Sequence, residues 1–416
     1  MTRWLGVILT AVSFVLAGAP AFGQTRLAQT PLAQTPPGET KPAEAKPEEK
    51  PKTLWEEHVL FAYIENSLVW NMGRSGRDHT NNEIRVFDNE DGYTFNAAEF
   101  SIKKDPSEKY PFGYGVALTT GIDAQKIHAL GMFRGDNDTY PFRNTAKFDV
   151  KDAYASYTIP IGSGLTVKAG KFVTLLGYEV IDGPLNPNFS RSFMFGFAIP
   201  FTHVGGLLSY SPFEWLTITA GPVVGWDVAR DNNSQMSVMG QFAVTPIKDL
   251  PLTLSWITGP EQAHENGKPR TVLDWVGNYT GIKGLTLGLN VDYGWEYNEA
   301  SLGASGTRSD STTASWWGWA GYAIYDWTDK LRTALRLEYF RDAESVRTLA
   351  APVGTKLDLY GITATIQYNI WKGLFARLEY RHDSANQKVF AIRAPGYVPT
   401  GKSQDTMTLA VHYSFF

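Results

Sequence analysis

The sequence predicts an all-β fold: a transmembrane, antiparallel up-and-down β-barrel of about sixteen strands, with short turns at one end and long loops at the other. Three observations point there. Apolar and polar residues alternate with period two over long stretches, as they do where successive side chains of a strand face opposite sides. Beyond the N-terminal leader, no run reaches the ~18 consecutive apolar residues of a spanning helix. Long connections also alternate with tight ones along the chain.

Glycine, at 39 of 416 residues, and an aromatic share of 13% against 19% charged suit a β-rich chain with many turns. Cysteine is absent, which excludes a disulfide framework and any Cys-based zinc, haem-attachment or iron–sulfur site. The formal net charge of −4 comes without a basic stripe, so no nucleic-acid partner is expected.

The chain opens "MTRWLGVILTAVSFVLAGAPAFGQ", with Arg3 ahead of an apolar run from Leu5 to Leu16 and small residues after it. That is the pattern of a secretory signal peptide over 1–23, and the run is shorter than the ~20 residues of a membrane anchor. The next segment, 24–54, repeats Leu-Ala-Gln-Thr at 27–30 and 32–35, then alternates Pro with Lys and Glu. It cannot bury enough apolar area to offset its conformational entropy and reads as a disordered periplasmic tether. The barrel is expected over 55–416.

In chain order, strands are expected near 57–70, 93–103, 111–121, 147–159, 164–174 and 203–211. The seventh, near 214–226, sets Leu216, Ile218, Ala220, Val224 and Trp226 against Thr217, Thr219, Gly221 and Asp227. Strands near 235–246, 250–259 and 270–280 follow. The eleventh, near 283–297, has the clearest pattern: Leu285, Leu287, Leu289, Val291, Tyr293 and Trp295 share one face, and Thr286, Gly288, Asn290, Asp292, Gly294 and Glu296 the other. The twelfth lies near 313–326. The thirteenth, near 330–342, opposes Leu331, Leu335, Leu337 and Tyr339 to Arg332, Arg336 and Glu338. After the fourteenth, near 356–370, the fifteenth, near 373–383, opposes Leu374, Ala376, Leu378 and Tyr380 to Arg377, Glu379 and Arg381. The last, near 404–416, places Met407, Leu409, Val411, Tyr413 and Phe415 on alternate positions. One face is greasy with aromatics near its ends, and the lengths cluster near the ~9–11 residues of a tilted membrane strand.

Long connections fall near 71–92, 122–146, 175–202, 227–234, 260–269, 298–312, 343–355 and 384–403. Tight ones sit between them: "KKDPSEKY", "IPIGSG", "SPFE", "TPIKDL", "TGIKG", "DWTDK" and "NIWKG". A hairpin barrel with short periplasmic turns and long outer loops predicts this alternation, with both termini on the periplasmic side. A soluble sandwich gives no reason to segregate its long loops to one end.

The segment "AGKFVTLLGYEVIDGPLNPNFSRSFMFGFAIPFTHVGG" carries a more specific signal. Gly170-Lys171-Phe172, Gly177-Tyr178-Glu179, Asn186-Pro187, Ser190-Arg191-Ser192, Gly196-Phe197 and Pro200-Phe201-Thr202-His203 with Gly205 resemble the OmpL-like β-barrel porins of Gram-negative-type bacteria. The resemblance covers the body from about Trp55 to Phe416, and it implies an outer-membrane barrel that forms a pore. The third loop is too apolar for a solvated excursion, with Phe189, Phe193, Met194, Phe195, Phe197, Ile199 and Phe201. General diffusion porins, which the architecture resembles, fold their third loop into the lumen. By that analogy, 175–202 forms a constriction and Glu179, Asp182 and Arg191 lie near the eyelet. A loop over the mouth, or one buried against a neighbouring subunit, are the other readings.

Arg332, Arg336, Glu338, Arg377, Glu379 and Arg381 form a second polar group, on the thirteenth and fifteenth strands. A basic wall facing Glu179 and Asp182 would set a transverse field in a narrow throat. Equally, these residues can neutralise one another in a ladder that fills lumen space. Seven histidines, His58, His79, His128, His203, His264, His382 and His412, show no metal-ligand spacing, so no metal or cofactor is expected. His412 and His203 are the candidates for an outer-membrane hydrolase, without a persuasive partner in sequence.

The reading that follows is passive: an aqueous channel for small hydrophilic solutes across the outer membrane, without enzymatic activity. Its expected partners are outer-membrane lipids, the barrel-assembly machinery during biogenesis and, by analogy with porins of this strand number, two further copies in a homotrimer. A non-conducting barrel with an adhesion or envelope-structural role is the alternative, and a hydrolase the second. The aromatic end, Tyr413, Phe415 and Phe416, resembles the assembly signal of such barrels. Here the apolar face is in phase with Phe415, which makes Phe416 one residue beyond it.

Overall fold

A computed structural model describes residues 53–73, 84–88, 91–132, 147–297, 313–390 and 400–415. The proposed leader, the tether up to residue 52, His79 and Phe416 lie outside the described residues. The strands are β1 Val59–Asn71, β2 Gly92–Lys104, β3 Phe112–Thr120, β4 Phe148–Ile159, β5 Leu165–Val173, β6 Thr202–Phe213, β7 Leu216–Val223 and β8 Ser237–Val244. They continue with β9 Leu252–Pro260, β10 Pro269–Ile282, β11 Leu285–Tyr297, β12 Thr313–Asp326, β13 Leu331–Asp342, β14 Leu357–Trp371, β15 Leu374–Ala385 and β16 Ser403–Phe415. Each pairs with its neighbours in sequence, and β1 pairs back onto β16, so the barrel is closed. Closure is what lipid demands, because an open sheet edge would leave backbone N–H and C=O groups without partners.

The period-two pattern becomes an inside and an outside. On β11, Leu287, Leu289, Val291 and Tyr293 are exposed outward, while Asn290, Asp292 and Glu296 are buried in the lumen. Aromatic pairs mark the two ends of the wall. Phe213 stacks on Trp215 at the periplasmic end, where Trp371 and Tyr413 also stack. At the outer end Trp317 meets Tyr339, which in turn meets Tyr360. Such girdles sit at the two membrane interfaces of β-barrels.

Two details depart from the alternation. The seventh strand ends at Val223, because Gly225 and Asp227 take positive φ values of 156° and 55°. Trp226 therefore leaves the lipid face assigned to it and lies at the outer mouth, under the guanidinium groups of Arg270 and Arg347, 4.9 and 4.7 Å from its ring centre. The second departure is a bulge. Ala117 pairs with Asp152 and Leu118 with Val150, so Lys151 is the extra residue of β4. Bulges re-aim side chains, and this one sends the Lys151 ammonium to Glu99 on β2, 2.6 Å away.

A 3₁₀ turn, Leu54–Glu57, precedes β1. Glu57 is fixed by Lys104, 3.2 Å away, and by the Ser107 hydroxyl. The seam is completed at the other end of the chain, where Phe415 stands opposite Ala62 with its ring 4.3 Å from that of Tyr413. Because Phe415 completes the apolar face at the seam, Phe415→Ala is expected to lower the fraction of chain that resists SDS without heating. Deleting Phe416 should leave that fraction unchanged, and the reverse result would reassign the assembly signal.

Candidate functional site

The segment between β5 and β6 runs inside the barrel, and backbone groups tie it to the wall almost from its first residue. The Leu175 carbonyl accepts from Gln241 on β8 and from Ser255 on β9. Gly177 N–H donates to Asp274 on β10 at 3.1 Å, and Tyr178 N–H to Asn290 on β11 at 3.2 Å. Gly177 has φ 96°, and a Cβ there would meet Ile199 Cδ1 at 2.5 Å, so glycine answers both constraints. The Tyr178 ring lies on Tyr322 of β12 with centres 4.2 Å apart.

Glu179 then meets Arg336 of β13 at 2.8 Å. All five N–H groups of this guanidinium are engaged: Nε with Glu338, one Nη with Glu179 and the Ser190 carbonyl, the other with the Ser190 and Thr363 hydroxyls. Arg336 is fully buried. Asp182 crosses to the opposite wall, where it takes the Lys151 ammonium. A 3₁₀ turn, Gly183–Leu185, reverses the chain, and Arg377 of β15 gathers the carbonyls of Gly183, Asn186 and Asn188. Glu379 does the complementary job, accepting from Phe189 N–H at 2.7 Å and Ser190 N–H at 3.0 Å. Arg381 donates to the Arg191 carbonyl at 2.7 Å and pairs with Asp383. Arg191 itself braces the loop from within, reaching the carbonyls of Phe189 and Ile181.

The loop's return leg is a short helix, α2, Phe193–Phe197, following a first one, α1, at Ile122–Ile127 in the second outer loop. Ser192 caps α2 by accepting from Phe195 N–H at 3.1 Å, and Glu338 accepts from Phe193 N–H at 2.6 Å. Phe193, Met194, Phe195, Phe197, Ile199 and Phe201 are buried in one apolar cluster. Its other members come from β4 to β10 and β12 to β15, among them Phe172, Leu207, Met239, Ile257, Trp316 and Phe340. An apolar layer therefore occupies the outer lumen along most of the wall, while β1, β2 and β3 present buried polar groups such as Glu65, Asn96, Glu99 and Thr119. The first outer loop reinforces it: Phe87 packs on Phe195 and Phe201, and Arg85 is held by Asp383 at 2.6 Å.

Eight of the nine charged residues singled out in the sequence thus meet inside the barrel: Glu179, Asp182, Arg191, Arg336, Glu338, Arg377, Glu379 and Arg381. Seven of them are engaged with one another or with loop backbone, and Asp182 with Lys151 and Tyr63 on the opposite wall. Arg332 stands apart. It lies near the periplasmic turn, pairs with Asp326 at 2.6 Å and keeps a side chain 39% exposed. Sequence reasoning missed Lys151, Asp274, Asn290 and Arg85 as anchors of the inward loops; only polar character at strand positions signalled the first three, and Arg85, in the first outer loop, carried no signal. His412 is buried 3.1 Å from Glu65 with its ring on Phe375, and His203 lies between the Gly225 carbonyl and the Thr174 hydroxyl. Among the described residues, no group of three or more His, Asp or Glu could hold a metal ion.

A family model described as "Putative beta-barrel porin-2, OmpL-like" matches residues 60–415. No curated protein matches the chain. Solved structures share its fold at low identity. The anion-selective porin from Comamonas acidovorans is 11% identical with a TM-score of 0.53, over 86% of this chain and 99% of that one. Salmonella typhi OmpF, solved with daunomycin, is 14% identical at 0.54, over 86% and 97%. OmpT of Vibrio cholerae in its trimer form is 10% identical at 0.54, over 86% and 99%.

Removing one partner of a buried ion network leaves the others without compensation, which costs about 3–5 kcal/mol. Arg336→Ala is expected to lower the unfolding free energy of the refolded barrel by that order, measured by urea titration. Arg332→Ala, which breaks a half-exposed pair, is expected to cost less than about 1 kcal/mol.

Proposed function

Because the chain belongs to the OmpL-like β-barrel porin family of the outer membrane, we propose that it is a channel for passive diffusion of small hydrophilic solutes, with the third long loop, 175–202, as its constriction. The observation that carries this is the loop's path. It is fastened to β8, β9, β10, β11, β13 and β15 on one side and to Lys151 of β4 on the other, so a solute crossing the barrel must pass it or move it.

Below the loop, the wall of β4 to β7 offers neutral hydroxyls in mutually bonded pairs: Thr158 with Thr166, Ser209 with Thr219 and Ser211 with Thr217. Such groups exchange hydrogen bonds with water or a sugar at little cost, which suits transit rather than capture. Solute choice in this reading comes from throat width. The Arg336, Arg377 and Arg381 charges act first on the loop, through bonds that hold it, and only secondarily on the solute. The secretory leader 1–23 exports the chain, and the tether 24–54 remains in the periplasm. Assembly as a homotrimer is part of the proposal, in line with the trimer form of the Vibrio cholerae neighbour.

The apolar layer over most of the outer lumen favours a second reading, a non-conducting barrel with an adhesion or envelope-structural role. Planar-bilayer recordings separate the two. Replacing both Arg336 and Arg377 with Ser frees the loop, and the variant is expected to show larger unit conductance and to admit larger sugars than the wild type. Equal conductance and size limit in both proteins would remove the loop as constriction. Silence of both across a graded series of ions and sugars would favour the non-conducting barrel.

A further inference from the structure

The root of the third loop is held by a pair of carboxyl groups whose surroundings differ from the rest of the lumen. Asp274 and Asp292 stand directly opposite one another on β10 and β11, both facing inward and both fully buried. Many lumen carboxylates have a cation or His against them: Glu99 has Lys151, Asp149 has Lys171, Glu296 has Arg270, Asp383 has Arg381 and Glu65 has His412. Others, such as Asp227, Glu261 and Asp342, are single acids that take two or more backbone or hydroxyl donors. Asp274 and Asp292 share instead the amide of Asn290, whose Nδ2 is 2.6 Å from Asp274 Oδ1 and 3.2 Å from Asp292 Oδ1. Gly177 N–H supplies Asp274 Oδ2. Asp292 Oδ2 is buried without a partner.

The groups packed around the pair carry no positive charge. Ser255 of β9 stands opposite Asp274, with its hydroxyl committed to the Leu175 carbonyl. Gly318 of β12 stands opposite Asp292. The loop contributes Gly177 and Tyr178, and its next residue, Glu179, is already held by Arg336 and Ser192. Farther out on the same two strands, Glu296 and Arg270 satisfy each other. Nor is the space between the carboxyls shaped for a metal ion. Asn290 Oδ1 accepts from Tyr178 N–H, which turns the donor end of the amide, not an oxygen, toward the two acids. Two adjacent buried carboxylates with so few donors cannot both carry charge without a large penalty.

We propose that Asp274 and Asp292 share one proton, placed on Asp292, and that this proton locks the root of the third loop to the wall. Loss of the proton to solvent base in alkaline medium leaves two facing anions competing for one amide. Asn290 is then drawn from Tyr178, Gly177 loses its fixed acceptor, and the loop root comes away from β10 and β11. The proton thus closes the constriction and its loss opens it. This latch rests on the loop being the constriction. Another acid holds the far end of the loop: Asp227 accepts from Phe201 and Thr202 N–H, and burial pushes its carboxyl up to about 6. Glu261, which accepts from Trp226 N–H at the same mouth, is likewise pushed up to about 7 by burial, so changes around and below neutral pH belong to these two groups, whereas the latch acts above them.

Two measurements on the refolded full barrel test the latch, with D292N as the variant because the amide imitates the neutral acid. In infrared difference spectra, the wild type is expected to show a protonated carboxyl band at neutral pH that D292N lacks and that fades in alkali. Absence of that difference band overturns the shared proton whether or not the barrel conducts. In bilayers, wild-type open probability is expected to rise about tenfold or more from neutral to alkaline pH, as a minor state becomes populated, while D292N stays closed. If D292N shows the same rise, or if the R336S/R377S variant conducts and the wild type shows no alkaline rise, the latch falls and the constriction stands. If no variant conducts at any pH, both fall.

Discussion

A guanidinium removed from water must find a partner for every one of its N–H groups, and the interior of this barrel is organised around meeting that demand for Arg336. Its fixed fork points in directions that the wall alone cannot fill. Glu338 and Thr363 supply part of the set from β13 and β14, and the third loop supplies the remainder through Glu179 and Ser190. The loop is therefore part of the solvation of the wall. On β15, Arg377 takes loop carbonyls, and Arg381 divides its guanidinium between the Arg191 carbonyl and the carboxylates of Asp383 and Glu338. Once these bonds set the depth of the loop, its phenylalanines have only the lumen to occupy, and the apolar layer follows.

The wall was legible in the sequence because a barrel strand states its own geometry. Every lumen residue is flanked by lipid-facing ones, so β11 and β16 announce themselves residue by residue. Burial of the third loop was legible for a similar reason, since Phe193, Phe195 and Phe197 could not stand in water, but aromatic content alone did not separate an inward course from a lid over the mouth or burial against a neighbour. Depth was not legible. Arg332 and Arg336 occupy the same face of β13, one near the periplasmic turn and one in the core, and periodicity assigns them alike. Nor could alternation within one strand disclose the bulge that turns Lys151 toward Asp182, because a bulge is a relation between two strands. The pairing of Asp274 with Asp292 depends on register across a turn, and neither residue stands out alone. Trp226 was misplaced because the strand ends at a backbone reversal that its apolar neighbours conceal.

The division of labour is the usual one for a rigid scaffold carrying its function on loops. The hydrogen-bonded wall has the fold of outer-membrane proteins that are 10–14% identical, and the clamp and the apolar layer are built from side chains. The fold explains where the third loop can sit, and Arg336, Glu379 and Lys151 explain how it is held.

The contacts that seat the third loop also impose an order in time. Glu179 meets its partner 157 residues farther along the chain, and Phe189 meets Glu379 190 residues away. When the strands flanking the loop have emerged, none of β13, β14 or β15 yet exists to receive it. The loop's aromatic residues therefore gain their berth only once β13, β14 and β15 are in place, so the interior cannot be completed ahead of the late part of the wall.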